Sequence, residues 1–174
     1  MLFFYEKRIN YFVIYTLMDN SMYKIKRFEQ HSSPKLPEVW YHGTNKNFDK
    51  FDLKYLGNNW KMSKLGIYFT QHIKTPYTGA TAEDFAKKAV EVSGGTPIIY
   101  KCKLNFNRPL ILDSEGYYSS NSYIDIKSDE IKRKMEEAHY DGVIVYNIKK
   151  GWEDCIAMTN DISKIEILDK VKLD

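Results

Sequence analysis

From Ile99 to Phe106 the chain alternates without a break: Tyr100, Cys102, Leu104 and Phe106 point one way, and Lys101, Lys103 and Asn105 the other. Successive side chains of an extended chain leave on opposite faces, so this pattern predicts a strand with one face buried and one in water. Its neighbours are of the same kind. Val39–His42, Gly66–Thr70, Leu110–Leu112, Val143–Tyr146, Asp154–Met158 and Lys164–Leu168 read as further short strands. Only two windows carry a helical period. In the first, Thr81 to Val92, Thr81 is an N-cap with Asp84 three residues on, Phe85, Ala89 and Val92 share a face, and Gly94-Gly95 is the stop. The second runs from Asp129 to His139, with acids in its first turn and Ile131, Met135 and Ala138 on one face. Asp141-Gly142 is a turn ahead of the next strand. Many strands and two helices in this order imply an α+β class, not an alternating βαβ one.

At 174 residues the chain is long enough for one domain with a real core. Residues 1–35 read as an N-terminal extension ending in the turn-prone His31-Ser32-Ser33-Pro34, and 36–174 as the folded domain. The apolar run Tyr11–Met18 is too short to span a bilayer, and no small-x-small cleavage site follows it. It reads as an element packed on the domain; Met18 and Met22 are alternative starts. No membrane association is expected. Cys102 and Cys155 fall in apolar strands with no metal-ligand spacing, which fits a reducing, cytoplasmic setting and no metal. A net charge of +3 neither requires nor excludes a nucleic-acid partner.

Three segments carry candidate chemistry. Tyr41-His42-Gly43-Thr44 sets an imidazole beside a bare backbone that a flat ligand can approach. Gly66-Ile67-Tyr68-Phe69-Thr70 offers a tyrosine face. Glu153-Asp154-Cys155-Ile156-Ala157-Met158 opens an apolar strand with an acid, and strand period puts Asp154 on the face of Ile156 and Met158. Taken singly, each has a plain structural explanation: a satisfied strand-end histidine, a core strand, an acidic loop end.

In this order and spacing the three segments resemble the ADP-ribosyltransferase superfamily. The nearest branch is the diphtheria-toxin and poly(ADP-ribose) polymerase type with its H-Y-E motif, in the small bacterial and phage form. The resemblance covers roughly residues 39–168. It also takes in Ala82-Glu83-Asp84-Phe85-Ala86, Asn107-Arg108-Pro109-Leu110 and Asp141-Gly142-Val143-Ile144. It implies a split β-sheet core of two packed, mostly antiparallel sheets with flanking helices and a cleft between them. Asp154 stands where the family usually has Glu, one methylene longer, so Glu153 is the alternative acid.

The resemblance implies NAD as co-substrate. His42 would bond the adenosine ribose, Gly43 with Thr44 beside it would clamp the carboxamide, and Tyr68 would stack on nicotinamide. Phe85 would be the second wall, with Tyr77 as a substitute. Breaking the nicotinamide–ribose bond passes through an oxocarbenium-like state, and a carboxylate near the ribose stabilises the growing cation. Asp154, His42 and Tyr68 are then the catalytic set. The loop before the acid, Asn147 to Glu153, would meet a macromolecular acceptor, protein or nucleic acid, through Lys149, Lys150, Trp152 and Glu153. The implied activity is mono-ADP-ribosyl transfer. The alternatives are NAD hydrolysis on the same scaffold and a non-catalytic NAD or ADP-ribose binding module. No Gly-rich phosphate loop, Ser-His-Asp order or metal cluster points to another enzyme class.

Overall fold

A computed structural model describes residues 36–55, 65–74, 81–114, 117, 120–149 and 152–173. The extension and its apolar run lie outside the described residues. The elements run β1 (Trp40–Thr44), β2 (Ile67–Thr70), α1 (Ala82–Ser93), β3 (Ile98–Leu104), β4 (Pro109–Asp113), α2 (Ser120–Ala138), β5 (Gly142–Lys149), β6 (Trp152–Thr159) and β7 (Ile165–Lys172), with a 3-10 turn at Leu53–Tyr55. The α+β class and the strand positions expected from the sequence are present. Among the described residues no helix is long and apolar enough to cross a membrane.

The seven strands form one sheet in the order β4-β5-β6-β2-β1-β3-β7. The two separate sheets expected from the sequence are therefore joined. The join is narrow: β1 and β2 share the single pair Tyr41↔Thr70. The reason is in the registers. All four residues of β2 pair with β6, and all five of β1 pair with β3. Every pairing is antiparallel except β4–β5, and α2 supplies the crossover that a parallel pair requires.

The sheet cannot be flat. In the sheet order β3 and β4 lie five strand spacings apart, about 24 Å at ~4.8 Å each. The chain links Leu104 to Pro109 in five residue steps, a reach of about 17 Å. The halves therefore curl toward each other, and Phe106 in that link packs against Gly142 at the start of β5. Asp141 fixes the same corner. Its carboxylate accepts the Asn107 and Arg108 N–H groups at 2.6 and 3.0 Å and pairs with Lys164 at 3.3 Å. Burial pushes this carboxyl up, but those two N–H bonds and Lys164 outweigh it and hold it below the usual range.

Alternation then builds two cores. Phe69 of β2, Ile144 of β5, Ala157 of β6, and Trp40 and Tyr100 of β1 and β3 fill the space between the halves. The opposite faces of β5 and β6, through Val143, Val145, Ile156 and Met158, pack under Ile124, Ile131 and Met135 of α2. These two strands are buried on both faces, which is why they read as unbroken apolar runs.

Both helices differ in detail from the sequence reading. In α1, Thr81 and Asp84 form the expected capping box and Gly94 the C-cap, but Val92 is 60% exposed. The buried face is that of Ala82 and Ala86, turned by close approach to Gly43. A side chain on Gly43 would collide with the Ala82 carbonyl. The second helix begins at Ser120, well before the expected Asp129, because Ile124 extends the buried Ile131–Met135 stripe by two turns.

Candidate functional site

The site lies where β1 and β2 part. A ladder continued from Tyr41↔Thr70 would set Gly43 opposite Tyr68, and no such pair forms. Instead His42 Nδ1 stands 2.8 Å from the Tyr68 carbonyl oxygen. A carbonyl only accepts, so Nδ1 carries the proton and donates it, and Nε2 of the neutral ring is an acceptor. Burial holds the imidazole below its ordinary 6.5, and the bond to Tyr68 opposes that only in part. At neutral pH the ring is uncharged. Its side chain is seated on aromatic edges, with Phe51 at 5.2 Å and Phe69 at 5.7 Å between ring centroids. Phe51 is in turn set by Phe48, which stacks on Tyr100 at 4.3 Å. The Tyr100 hydroxyl accepts the Phe48 N–H at 2.7 Å. The loop after β1 is thus tied down beneath the histidine.

Tyr68 points to the other face of β2, as strand parity requires. Its half-buried ring meets Phe85 of α1 at 4.7 Å, tilted 59°. Its hydroxyl donates to Asn121 Oδ1 of α2 at 3.2 Å. The structure brings His42 Nδ1 to the Tyr68 carbonyl, the Tyr68 ring to Phe85 and Gly43 against α1, with the His42 and Tyr68 rings on opposite faces of β2. The resemblance named these four residues and did not point to Asn121, whose neighbours Ser120 and Ser122 read as turn formers. Thr44 ends β1 opposite Ile98, and its hydroxyl accepts the Lys46 N–H.

Two glycines of the motifs have structural duties. Gly43 admits α1 against β1, so its Cα face is covered by helix, and among the described residues its strand edge toward β2 has no ladder partner. Gly66 has φ +127°, and a side chain there would strike the Thr159 carbonyl. The N-terminus of α1 offers no anion site. Ala82 and Glu83 N–H groups donate to the His72 and Ile73 carbonyls, and Thr81 and Asp84 satisfy each other.

The stretch before the acid, expected as a loop from Asn147 to Glu153, is mostly strand. Asn147, Ile148 and Lys149 belong to β5 and pair with Asp154, Glu153 and Trp152 of β6, leaving Lys150 and Gly151 as the connection. The buried Asn147, read as a loop residue, ties β5 to the segment between β4 and α2 by donating to the Ser114 and Tyr117 carbonyls at 3.4 and 3.3 Å. Asp154 is thus the third residue of β6, four positions from Met158, the partner of Tyr68. The side chains of Lys149, Trp152, Glu153 and Asp154, and all of Tyr77 and Lys150, lie outside the described residues.

Cys102 and Cys155 are free and buried, and burial pushes the Cys102 thiol up to about 12, so it is no nucleophile. Among the described residues no group of three or more His, Cys, Asp or Glu side chains is placed to hold a metal. Comparison with family models, with curated proteins and with solved structures finds no match to this chain.

Proposed function

We propose that the chain is a mono-ADP-ribosyltransferase that takes NAD and delivers ADP-ribose to a macromolecule. The observation that carries this reading is the parting of β1 and β2 at His42, with the imidazole bonded to the Tyr68 carbonyl. Among the described residues the Gly43 edge toward β2 has no strand pairing, and it lies near two aromatic residues, Tyr68 and Phe85. An unpaired backbone edge suits a carboxamide, which has one donor and one acceptor side by side. An aromatic face suits the nicotinamide ring. The Nε2 lone pair of neutral His42 suits a ribose hydroxyl donor.

The chemistry asks little beyond holding and charge. The bond from the ribose C1′ to the nicotinamide nitrogen breaks, and its electron pair leaves with the ring, which becomes neutral. The acceptor nucleophile then bonds C1′, and its proton passes to solvent. Asp154 is the carboxylate assigned to the transient cation, with Lys149, Lys150, Trp152 and Glu153 at the acceptor end of the same hairpin. The test is incubation with adenine-labelled NAD and whole lysate, followed by nuclease or protease. Label released by one of the two identifies the acceptor polymer. Label only in free ADP-ribose makes the chain an NAD glycohydrolase. A second reading rests on Asp154 standing where the family has Glu: a binding module that holds NAD without turnover. Calorimetric binding of NAD with no consumption would establish it and end the transferase proposal.

A further inference from the structure

We propose that Tyr100 is a positioning residue for His42: its hydroxyl pins the loop that walls the imidazole, and so keeps Nδ1 on the Tyr68 carbonyl and Nε2 for a ligand. The inference rests on the reading of His42 as the acceptor that meets the ribose. Tyr100 of β3 stands directly opposite His42 of β1 in the ladder, so both side chains leave the same face of the sheet. A residue that only filled this space would be Phe, since a hydroxyl taken out of water costs free energy unless it is bonded. Tyr100 is fully buried, and among the described residues its hydroxyl bonds the backbone of a single loop. It accepts the Phe48 N–H at 2.7 Å, and its one proton has the Phe48 and Lys46 carbonyls in reach, at 2.9 and 3.3 Å.

That loop leaves β1 just after His42 and turns back over it. With the backbone held at Phe48, the Phe48 ring lies flat on Tyr100 at 4.3 Å and meets Phe51 at 4.9 Å. The buried Phe51 then stands edge-on to the imidazole at 5.2 Å. Without the hydroxyl, the Phe48 N–H loses its acceptor and the loop its buried anchor. The ion pair of Asp49 with Lys170, at 2.9 Å, is exposed and holds the loop only weakly. Water then reaches the imidazole. Of the titratable groups on the elements packed about it, the Tyr100 hydroxyl and the Cys102 and Cys155 thiols are buried in the same core. Lys46, Asp49, Lys50, Asp52 and Lys54 of the loop are exposed. None of these bonds the ring, whose hydrogen bond goes to the Tyr68 carbonyl, so a change in its titration reports its hydration.

The rival explanation is that Tyr100 only fills the core. Ring-nitrogen spectra of 15N-histidine protein, followed through pH, distinguish the two together with calorimetric NAD titration. The His42 signals are identified by their loss in His42→Gln. Tyr100→Phe keeps the ring and removes the hydroxyl. It should raise the His42 pKa toward the ordinary 6.5 and replace the Nδ1–H form with a mixture of tautomers. NAD binding should weaken about twofold or more, because a ring shared between two attitudes is competent in only one. Phe51→Leu breaks the wall and leaves Tyr100 intact, so it should move the His42 titration the same way. Asp49→Asn should not raise it. A lowered thermal midpoint in Tyr100→Phe with the His42 titration unchanged would show a core residue only and overturn the proposal. If Tyr100→Phe fails to fold, an unchanged titration in Phe51→Leu overturns it equally, since that variant opens the same wall. A rise in Asp49→Asn as large as in Tyr100→Phe would give the loop to its ion pair and overturn it too. A titration that moves while NAD affinity does not would take His42 away from the ligand and end the positioning role. A parent protein that binds no NAD, while Tyr100→Phe still moves His42, refutes the NAD reading and supports the hold of Tyr100 on the imidazole. A parent that binds NAD, with affinity and titration both indifferent to Tyr100→Phe, refutes this inference alone.

Discussion

His42 is the residue on which the site turns, and its protonation is measurable. The folded chain holds the imidazole below the ordinary value of 6.5 by burying it. Between the two pKa values the unfolded chain binds more protons than the folded one. Stability therefore falls as pH drops through about 6.5, and this penalty is absent above neutrality. His42→Gln lacks the titration. The stability difference between the parent protein and His42→Gln should be flat above pH 7 and should move against the parent protein below about pH 6.5. Chemical denaturation at a series of pH values checks it; a difference that never changes would mean that His42 is hydrated in the folded state. Tyr68 gives the second test at this scale. Tyr68→Ala should weaken NAD binding by about 1–3 kcal/mol, the usual loss for an aromatic stacking face. Tyr68→Phe keeps the ring and loses the hydroxyl with its Asn121 bond, about 0.5–1.5 kcal/mol. Equal losses in the two would assign the binding to the hydroxyl and not to the ring.

Single elements were largely legible, because each strand carries its own pattern. The alternation of β3 and the doubly apolar β5 and β6 are local facts of sequence, and so is the Thr81–Asp84 capping box. What failed to show was whatever depends on a partner. Ser120–Lys127 reads as a loop until Ile124 is seen under the same sheet face as Ile131. Asn147 reads as a turn residue until its amide finds two carbonyls. Val92 shares a face with Phe85 and Ala89 in the sequence, and nothing in that helix reveals that the contact with Gly43 falls to Ala82 and Ala86 instead. That contact makes a prediction. Gly43→Ala puts a methyl into the Ala82 carbonyl and the Ala86 backbone nitrogen, neither of which can move without shifting α1 from β1. The cost should be at least about 3 kcal/mol, the upper part of the overpacking range, since no side chain can yield. Gly94→Ala, where nothing lies within 4 Å, meets no such collision despite its φ of +69°, so it should lose only about 1 kcal/mol. Urea unfolding of the two variants side by side measures the contrast. Similar losses would show that α1 does not approach β1 as closely as described.

At the scale of the whole molecule, the candidate site straddles the narrow join between the two halves of the sheet. His42 and Gly43 come from the half made of β1, β3 and β7, while Tyr68 and Asp154 come from the half containing β2 and β6. No local pattern reports that the halves share one hydrogen-bonded pair, which is why two separate sheets were expected and one was found. The resemblance supplied the residues of the proposed site; the β1–β2 join sets His42 at the Tyr68 carbonyl, and Asp154 stands on β6, four positions from the partner of Tyr68. The decisive chemistry is then assigned to one carboxylate on β6. Asp154→Asn should leave NAD affinity nearly intact and cut turnover by about 10²-fold or more, because a charge beside a developing cation acts in the transition state and little in the ground state. Glu153→Gln changes the neighbouring position, whose strand parity is opposite, and should reduce NAD cleavage far less while altering transfer to the acceptor. Single-turnover NAD cleavage and acceptor labelling in the two variants separate these roles. A large loss in Glu153→Gln alone would make Glu153 the acid, and equal loss in both would mean that neither register is right. Asp154→Glu is the sharper probe. It adds the methylene that the family usually has, so it should keep or raise turnover if β6 stands at the family distance from the ribose. If β6 stands closer, to suit the shorter side chain, the same substitution should lower turnover, and the sign of the change in single-turnover cleavage decides between the two.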